Sequence, residues 1–154
     1  MTKQIINRQI DIEYGHTLPN HYSFCNQIHG HHGVIVAEVE GEINKVSGDS
    51  SEGMVMDFSS LKQIMMEEIF DKLDHGFAVW EDSKKDLEYI TKRNKKYIIT
   101  SQPPTAEYLA KWCYQKIDKK LPAYINLIKV TFYETPNNWA IYSGMEDAEN
   151  TSAK

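Results

Sequence analysis

His16, His21, His29, His31 and His32 stand in one short stretch of the chain, and only His75 lies elsewhere. His29 and His31 are separated by a single glycine. Side chains alternate between faces in a strand, so an H-x-H pair puts both imidazoles on one face, about 7 Å apart along the backbone. Both can then reach one ion. His16 ends another strand-like segment, and if the two segments pair, a third ring nitrogen arrives on that face. Three neutral imidazoles leave Zn2+ its full charge and an open fourth position, the donor set of a catalytic rather than a structural site. Spacing alone leaves a chance pair as the alternative. His32 has the opposite parity and is not expected to be a ligand. His21 falls in a loop, where solvation is the simpler reading.

Two further groups could move protons beside such a centre. Cys25, four residues before His29, reads either as a small buried hydrophobe or as a thiolate whose pKa a nearby cation lowers. Asp74-His75 closes an amphipathic segment, and a carboxylate beside an imidazole can orient it for catalysis. The same pair can simply complement the charge of a helix C-terminus. Cys113, beside Trp112 in an apolar stripe, reads as core.

These residues need elements to hold them. Residues 5–16 alternate, with Ile10, Ile12, Tyr14 and His16 on one parity and Asp11 and Glu13 on the other, which predicts a half-buried strand. Residues 17–28 read as a loop, and GHHGVIVAEVEGEI as a second strand. NKVSGDSSEG is turn chemistry, and MVMDF reads as a third strand, completing a hairpin over about residues 31–58. Leu61, Ile64, Met65, Ile69 and Leu73 predict an amphipathic helix from Ser60. Thr105 caps a second helix, with Leu109, Trp112, Cys113, Ile117 and Leu121 on one stripe and Pro122 ending it. Tyr97–Ile99 can form a short strand, and YINLIKVTFYET at 124–135 a longer one. The basic segment 84–96 reads as a solvated face or as an anion contact. The class is α+β, an antiparallel four-stranded sheet with two helices on one face. A single domain is expected over 1–142, with a frayed tail over 143–154.

The composition excludes several function classes. The chain has 154 residues, enough for one core, and 41% of them are hydrophobic, so wholesale disorder is excluded. A net charge of -5 disfavours nucleic acid as a partner. No apolar run is long enough for a membrane span. Two cysteines cannot make a disulfide framework, and residues 1–15 lack a secretory apolar region. A reducing cytoplasm is the expected compartment.

Several motifs in order resemble the pterin synthases, the 6-pyruvoyl- and 6-carboxytetrahydropterin synthase family. They are His16, CNQIHGH at 25–31, GMVMDFSSLK at 53–62, LDH at 73–75, PTAEYLA at 104–110 and YETPNNWAIY at 133–142. The resemblance implies the tunnelling fold, in which sheets of several copies close into a barrel, most often as a hexamer. It implies Zn2+ on His16, His29 and His31, and 7,8-dihydroneopterin triphosphate as substrate. Cys25 would be the proton-shuttling base, completed by Asp74 and His75, which a neighbouring subunit would supply. Glu134 would anchor the pterin, with Thr105 and Glu107 as further substrate contacts. The C-x3-H-G-H spacing resembles the carboxy-forming branch, which serves 7-deazaguanine (queuosine-type) biosynthesis and releases acetaldehyde and triphosphate. Alternatives are the pyruvoyl-type reaction and a pterin- or purine-binding module without turnover. One departure stands out: an aromatic usually follows HGH by one residue, and here His32-Gly33 occupies that place.

Overall fold

The computed structural model of the chain describes residues 2–144. Most of the tail assigned to 143–154, from residue 145 on, lies outside the described residues.

The alternation in the N-terminal segment becomes β1 (Lys3–His16), whose Ile10, Ile12, Tyr14 and His16 are buried while Gln9, Asp11 and Glu13 are exposed. A connection containing a single 3-10 turn (Phe24–Asn26) leads into β2 (His29–Glu42). The two strands pair antiparallel along their whole length, with Ile10 opposite Ile35, Tyr14 opposite His31 and His16 opposite His29. The long hairpin is therefore β1–β2, not residues 31–58. The expected strand at Met54–Phe58 does not form. Asp57 instead caps α1 (Phe58–Met65), its carboxylate accepting from the Ser59 N–H at 2.7 Å. The backbone of Asn44 ties down the loop before it, through Met54 O and Gly53 N.

α1 runs through a π-helical turn (Met66–Phe70) into the short α2 (Asp71–Leu73). The buried stripe here is Leu61, Met65, Ile69 and Leu73. A strict four-residue repeat overshoots the α-helical period by about 40° per step. The slower π turn cancels that drift and keeps the stripe on the sheet. β3 (Gly76–Trp80) follows, then α3 (Lys84–Arg93), β4 (Tyr97–Thr100), α4 (Ala106–Asp118), β5 (Asn126–Thr135) and β6 (Asn138–Tyr142).

The sheet order is β4-β3-β1-β2-β5-β6. Four strands, β1, β2, β5 and β6, pair antiparallel as the class requires. The expected count of four is corrected to six, because β3 and β4 join the β1 edge in parallel and make the sheet mixed. Leu61, Met65, Leu109, Cys113 and Ile117 from the helices meet Ile12, Ile35, Val130 and Phe132 of the strands in one core. The basic segment becomes α3, a helix not expected from the sequence. Its Ile90 is buried, while Lys92 pairs with Glu88 at 2.5 Å.

Candidate metal centre and active site

The β1–β2 register carries the site. His16 and His29 are directly opposite, and His31 faces Tyr14 two pairs along. Cross-strand partners share a face, so all three rings lie on the core side at the end of the sheet. They form the group whose ligand atoms lie within 4.8 Å of one another, as the spacing predicts. His32, on the other face, bonds Glu13 through Nδ1 and approaches Asp11 at 3.3 Å. Those carboxylates raise its pKa above the ordinary value.

The hydrogen bonds fix which nitrogen of His16 and of His29 is available. His16 Nδ1 lies 2.7 Å from the Pro104 carbonyl, and His29 Nδ1 lies 2.7 Å from the Gln27 carbonyl. A carbonyl only accepts, so both Nδ1 atoms carry the proton and both Nε2 atoms keep a lone pair. These two Nε2 atoms face each other at 3.0 Å. Among the described residues the buried His31 Nε2 has no hydrogen-bond partner. Burial pushes the His16 pKa down to about 4, with His29 and His31 adding to the fall against the Pro104 bond. Burial also lowers His31, against the pull of Glu134. Neutral rings with converging lone pairs repel unless a cation sits among them, so this donor set fits a divalent metal such as Zn2+.

Glu134 belongs to the same cluster. It falls where the β5–β6 register slips between Tyr133 and Thr135, and a bulge of this kind re-aims a side chain. Its Oε1 lies 3.5 Å from His16 Nε2 and 3.6 Å from His31 Nε2.

The other expected residues are not bonded to the three histidines among the described residues. Cys25 is half-buried in the 3-10 turn, where its carbonyl accepts from the Leu18 N–H. Asp74 accepts from the Glu13 N–H at 2.8 Å and from His75 Nδ1 at 2.7 Å. Burial works to raise its pKa, but these two bonds hold it, on balance, below the usual value. His75 takes a positive φ of 54°, which is rare outside glycine, and its side chain is 78% exposed. It lines a cleft of about 610 Å3 with Glu13, His32 and Phe77 that also reaches His29 and His31. Among the described residues no hydrogen bond or ion pair joins Asp74 or His75 to the three histidines. Thr105 is the N-cap of α4, accepting from the Tyr108 N–H at 3.3 Å, and Glu107 is exposed in its first turn.

Two participants were not anticipated. Pro104 orients His16 through a backbone carbonyl, which no residue type announces. Tyr14 is 4% exposed and packs against His16 and His31 at 5.4 and 5.7 Å between ring centroids. Among the described residues its buried hydroxyl has no hydrogen-bond partner, and burial, then Glu134, then Cys113 keep it protonated.

The family model described as 6-pyruvoyl tetrahydropterin synthase matches residues 5–145. A candidate 6-carboxy-5,6,7,8-tetrahydropterin synthase of Pyrococcus horikoshii is 34% identical, covering 90% of this chain and 91% of that one. The 6-carboxy-5,6,7,8-tetrahydropterin synthase of Haemophilus influenzae is 28% identical over 89% of this chain and 96% of its own. The structure of Caenorhabditis elegans 6-pyruvoyl tetrahydropterin synthase superposes with a TM-score of 0.68 at 26% identity, covering 94% and 97% of the two chains.

Proposed function

The chain belongs to the 6-pyruvoyl tetrahydropterin synthase family and has its tunnelling fold, and from that premise we propose that it is a zinc-dependent 6-carboxy-5,6,7,8-tetrahydropterin synthase. Its reaction would convert 7,8-dihydroneopterin triphosphate and one water to 6-carboxytetrahydropterin, acetaldehyde and triphosphate, for 7-deazaguanine biosynthesis in the cytoplasm. Among the described residues no helix is long and apolar enough to cross a membrane. The observation that carries the reading is the convergence of His16, His29 and His31 with their free nitrogens turned inward. The names of the relatives and the C-x3-H-G-H spacing support the carboxy-forming branch.

His16, His29 and His31 would hold Zn2+, which supplies Lewis-acid polarisation of the substrate's side-chain hydroxyls when bound. Glu134 would take the 2-amino-4-oxo edge of the pterin in a bidentate pair, since a carboxylate accepts from an N–H and an NH2 side by side. Thr105 and Glu107 would flank that edge. Thr105 Oγ1 accepts from the Tyr108 N–H as the helix cap, which leaves its O–H and one lone pair for the pterin. Cys25 would move the side-chain proton as base. Asp74 would hold His75 by its Nδ1–H, leaving Nε2 for the second proton. Among the described residues no bond joins this pair to the three histidines of its own chain, and the pair would serve a neighbouring copy, in a homo-oligomer that we propose is a hexamer.

Zinc-loaded protein incubated with 7,8-dihydroneopterin triphosphate should give 6-carboxytetrahydropterin and acetaldehyde by mass spectrometry. A product that keeps all three side-chain carbons would move the chain to the pyruvoyl branch named in its family. Binding without turnover would make it a pterin-holding module.

A further inference from the structure

We propose that a cleft between α2, the start of β4 and α4 binds the phosphates of a linear triphosphate. The cleft has a volume of about 460 Å3, in the range of small-molecule sites. Lys72, Lys95, Lys96 and Lys116 stand in its walls beside Trp112 and a single carboxylate, Asp71. This is a concentration of positive charge in a chain whose net charge is -5. Glu68, which does not line the cleft, takes Lys72 at 2.6 Å and Lys120 at 3.7 Å. Among the described residues Lys95, Lys96 and Lys116 make no ion pair. The Lys116 ammonium lies 5.8 Å over the Trp112 ring, which keeps it at the cleft wall. A concave surface lined by one sign of charge focuses its field on an entering anion.

The rest of the basic segment is used locally. Lys84 donates to the Glu81 carbonyl and Lys92 pairs with Glu88, and both lysines are exposed. Lys96 is half-buried, and its stem runs along the backbone at Gly76. A Cβ added there would come within 3.0 Å of Lys96 Cγ and 3.2 Å of its Cδ. Lys72 and Lys116 are half-buried as well. Long side chains already held in place lose less freedom when a ligand arrives. Lysine meets phosphate as a point charge, and several lysines around one cleft suit an anion that offers each of them an oxygen. The place in the chain is also apt. Asp71 and Lys72 line the cleft, and Asp74 and His75 follow directly. The ligand has two sources with the same chemistry, the tail of the substrate, which rests on the function proposed above, and free inorganic triphosphate.

The test is calorimetric titration of the zinc-loaded full chain with inorganic triphosphate. The parent chain should bind it, and Lys95→Gln and Lys96→Gln should each weaken binding at least about tenfold. Lys96→Arg, which keeps the charge, should retain most of the affinity. Lys92→Gln, from the same segment but outside the cleft, should change nothing. No binding by the parent chain overturns the proposal, and so do equal losses from Lys92→Gln and the cleft variants, which would mark diffuse charge only. His29→Ala, expected to lose the metal, should still bind triphosphate; loss of binding there would place the anion on the metal and overturn the cleft. Turnover separates the two sources. A raised KM for 7,8-dihydroneopterin triphosphate in Lys95→Gln, with kcat unchanged, assigns the cleft to the substrate tail. An unchanged KM beside weakened triphosphate binding assigns it to the free anion. A parent chain that binds triphosphate but turns nothing over sinks the proposed function and leaves the cleft standing.

Discussion

His16 is the residue on which acid acts hardest. Its ring is fully buried, and its pKa drops from 6.5 to about 4. A folded-state pKa below the unfolded one means that the fold favours the neutral ring. The stabilisation is complete above about pH 6.5 and is lost as pH falls toward 4, amounting to about 3 kcal/mol across that window. For metal-free protein, the urea midpoint should hold steady above the window and fall through it, and His16→Asn should flatten the fall. A parental profile with no slope there would mean that the ring is charged or hydrated in the fold. A second outcome concerns parity. His29→Ala or His31→Ala should abolish zinc binding in metal analysis, whereas His32→Ala should leave it, because His32 is bonded to Glu13 and Asp11 on the other face. This much was readable from an H-x-H spacing and strand alternation. Pro104 was not readable, because its contribution is a carbonyl brought in by a loop 88 residues away from His16. Nor was the proximity of Glu134 to the histidines, since it depends on a bulge that a regular strand pattern does not reveal.

At the scale of elements, the β1–β2 ribbon packs the ring of Tyr14 into the space beside Gly33 on the neighbouring strand. A Cβ at Gly33 would come within 3.0 Å of the Tyr14 ring. Gly33→Val should therefore overpack the ribbon and cost about 1–3 kcal/mol, and Tyr14→Ala in the same chain should recover part of it. Urea midpoints of both single variants and the double variant would show this. Simple additivity of the two losses would mean that the residues do not share the space. Long periodic elements, β1, β2 and α4, could be read because burial on one face forces a period on the sequence. Met54–Phe58 misled because its apolar residues do pack, Val55 and Met56 being buried, yet Asp57 spends its side chain starting a helix. β3 was hidden because GFAVW is short, lacks polar alternation and follows directly on the helix. The π turn leaves only a four-residue repeat as its trace.

For the whole molecule, two sheet edges are left unpaired among the described residues, β4 and β6. They carry exposed Tyr97 and Ile99, and Trp139 and Ile141. Open edges with large apolar residues invite strand pairing with another copy, and light scattering at micromolar concentration should show a homo-oligomer. A monomer would leave those edges bare and remove the neighbour that the proposed chemistry needs. If Asp74–His75 serves the histidines of a neighbouring copy, as proposed, there is a genetic consequence. A chain carrying His29→Ala would still lend a sound His75, and a chain carrying His75→Ala would still have a sound set of histidines. Two alleles that are each inactive alone should then complement one another when expressed together, because some sites in the mixed assembly would inherit both intact halves.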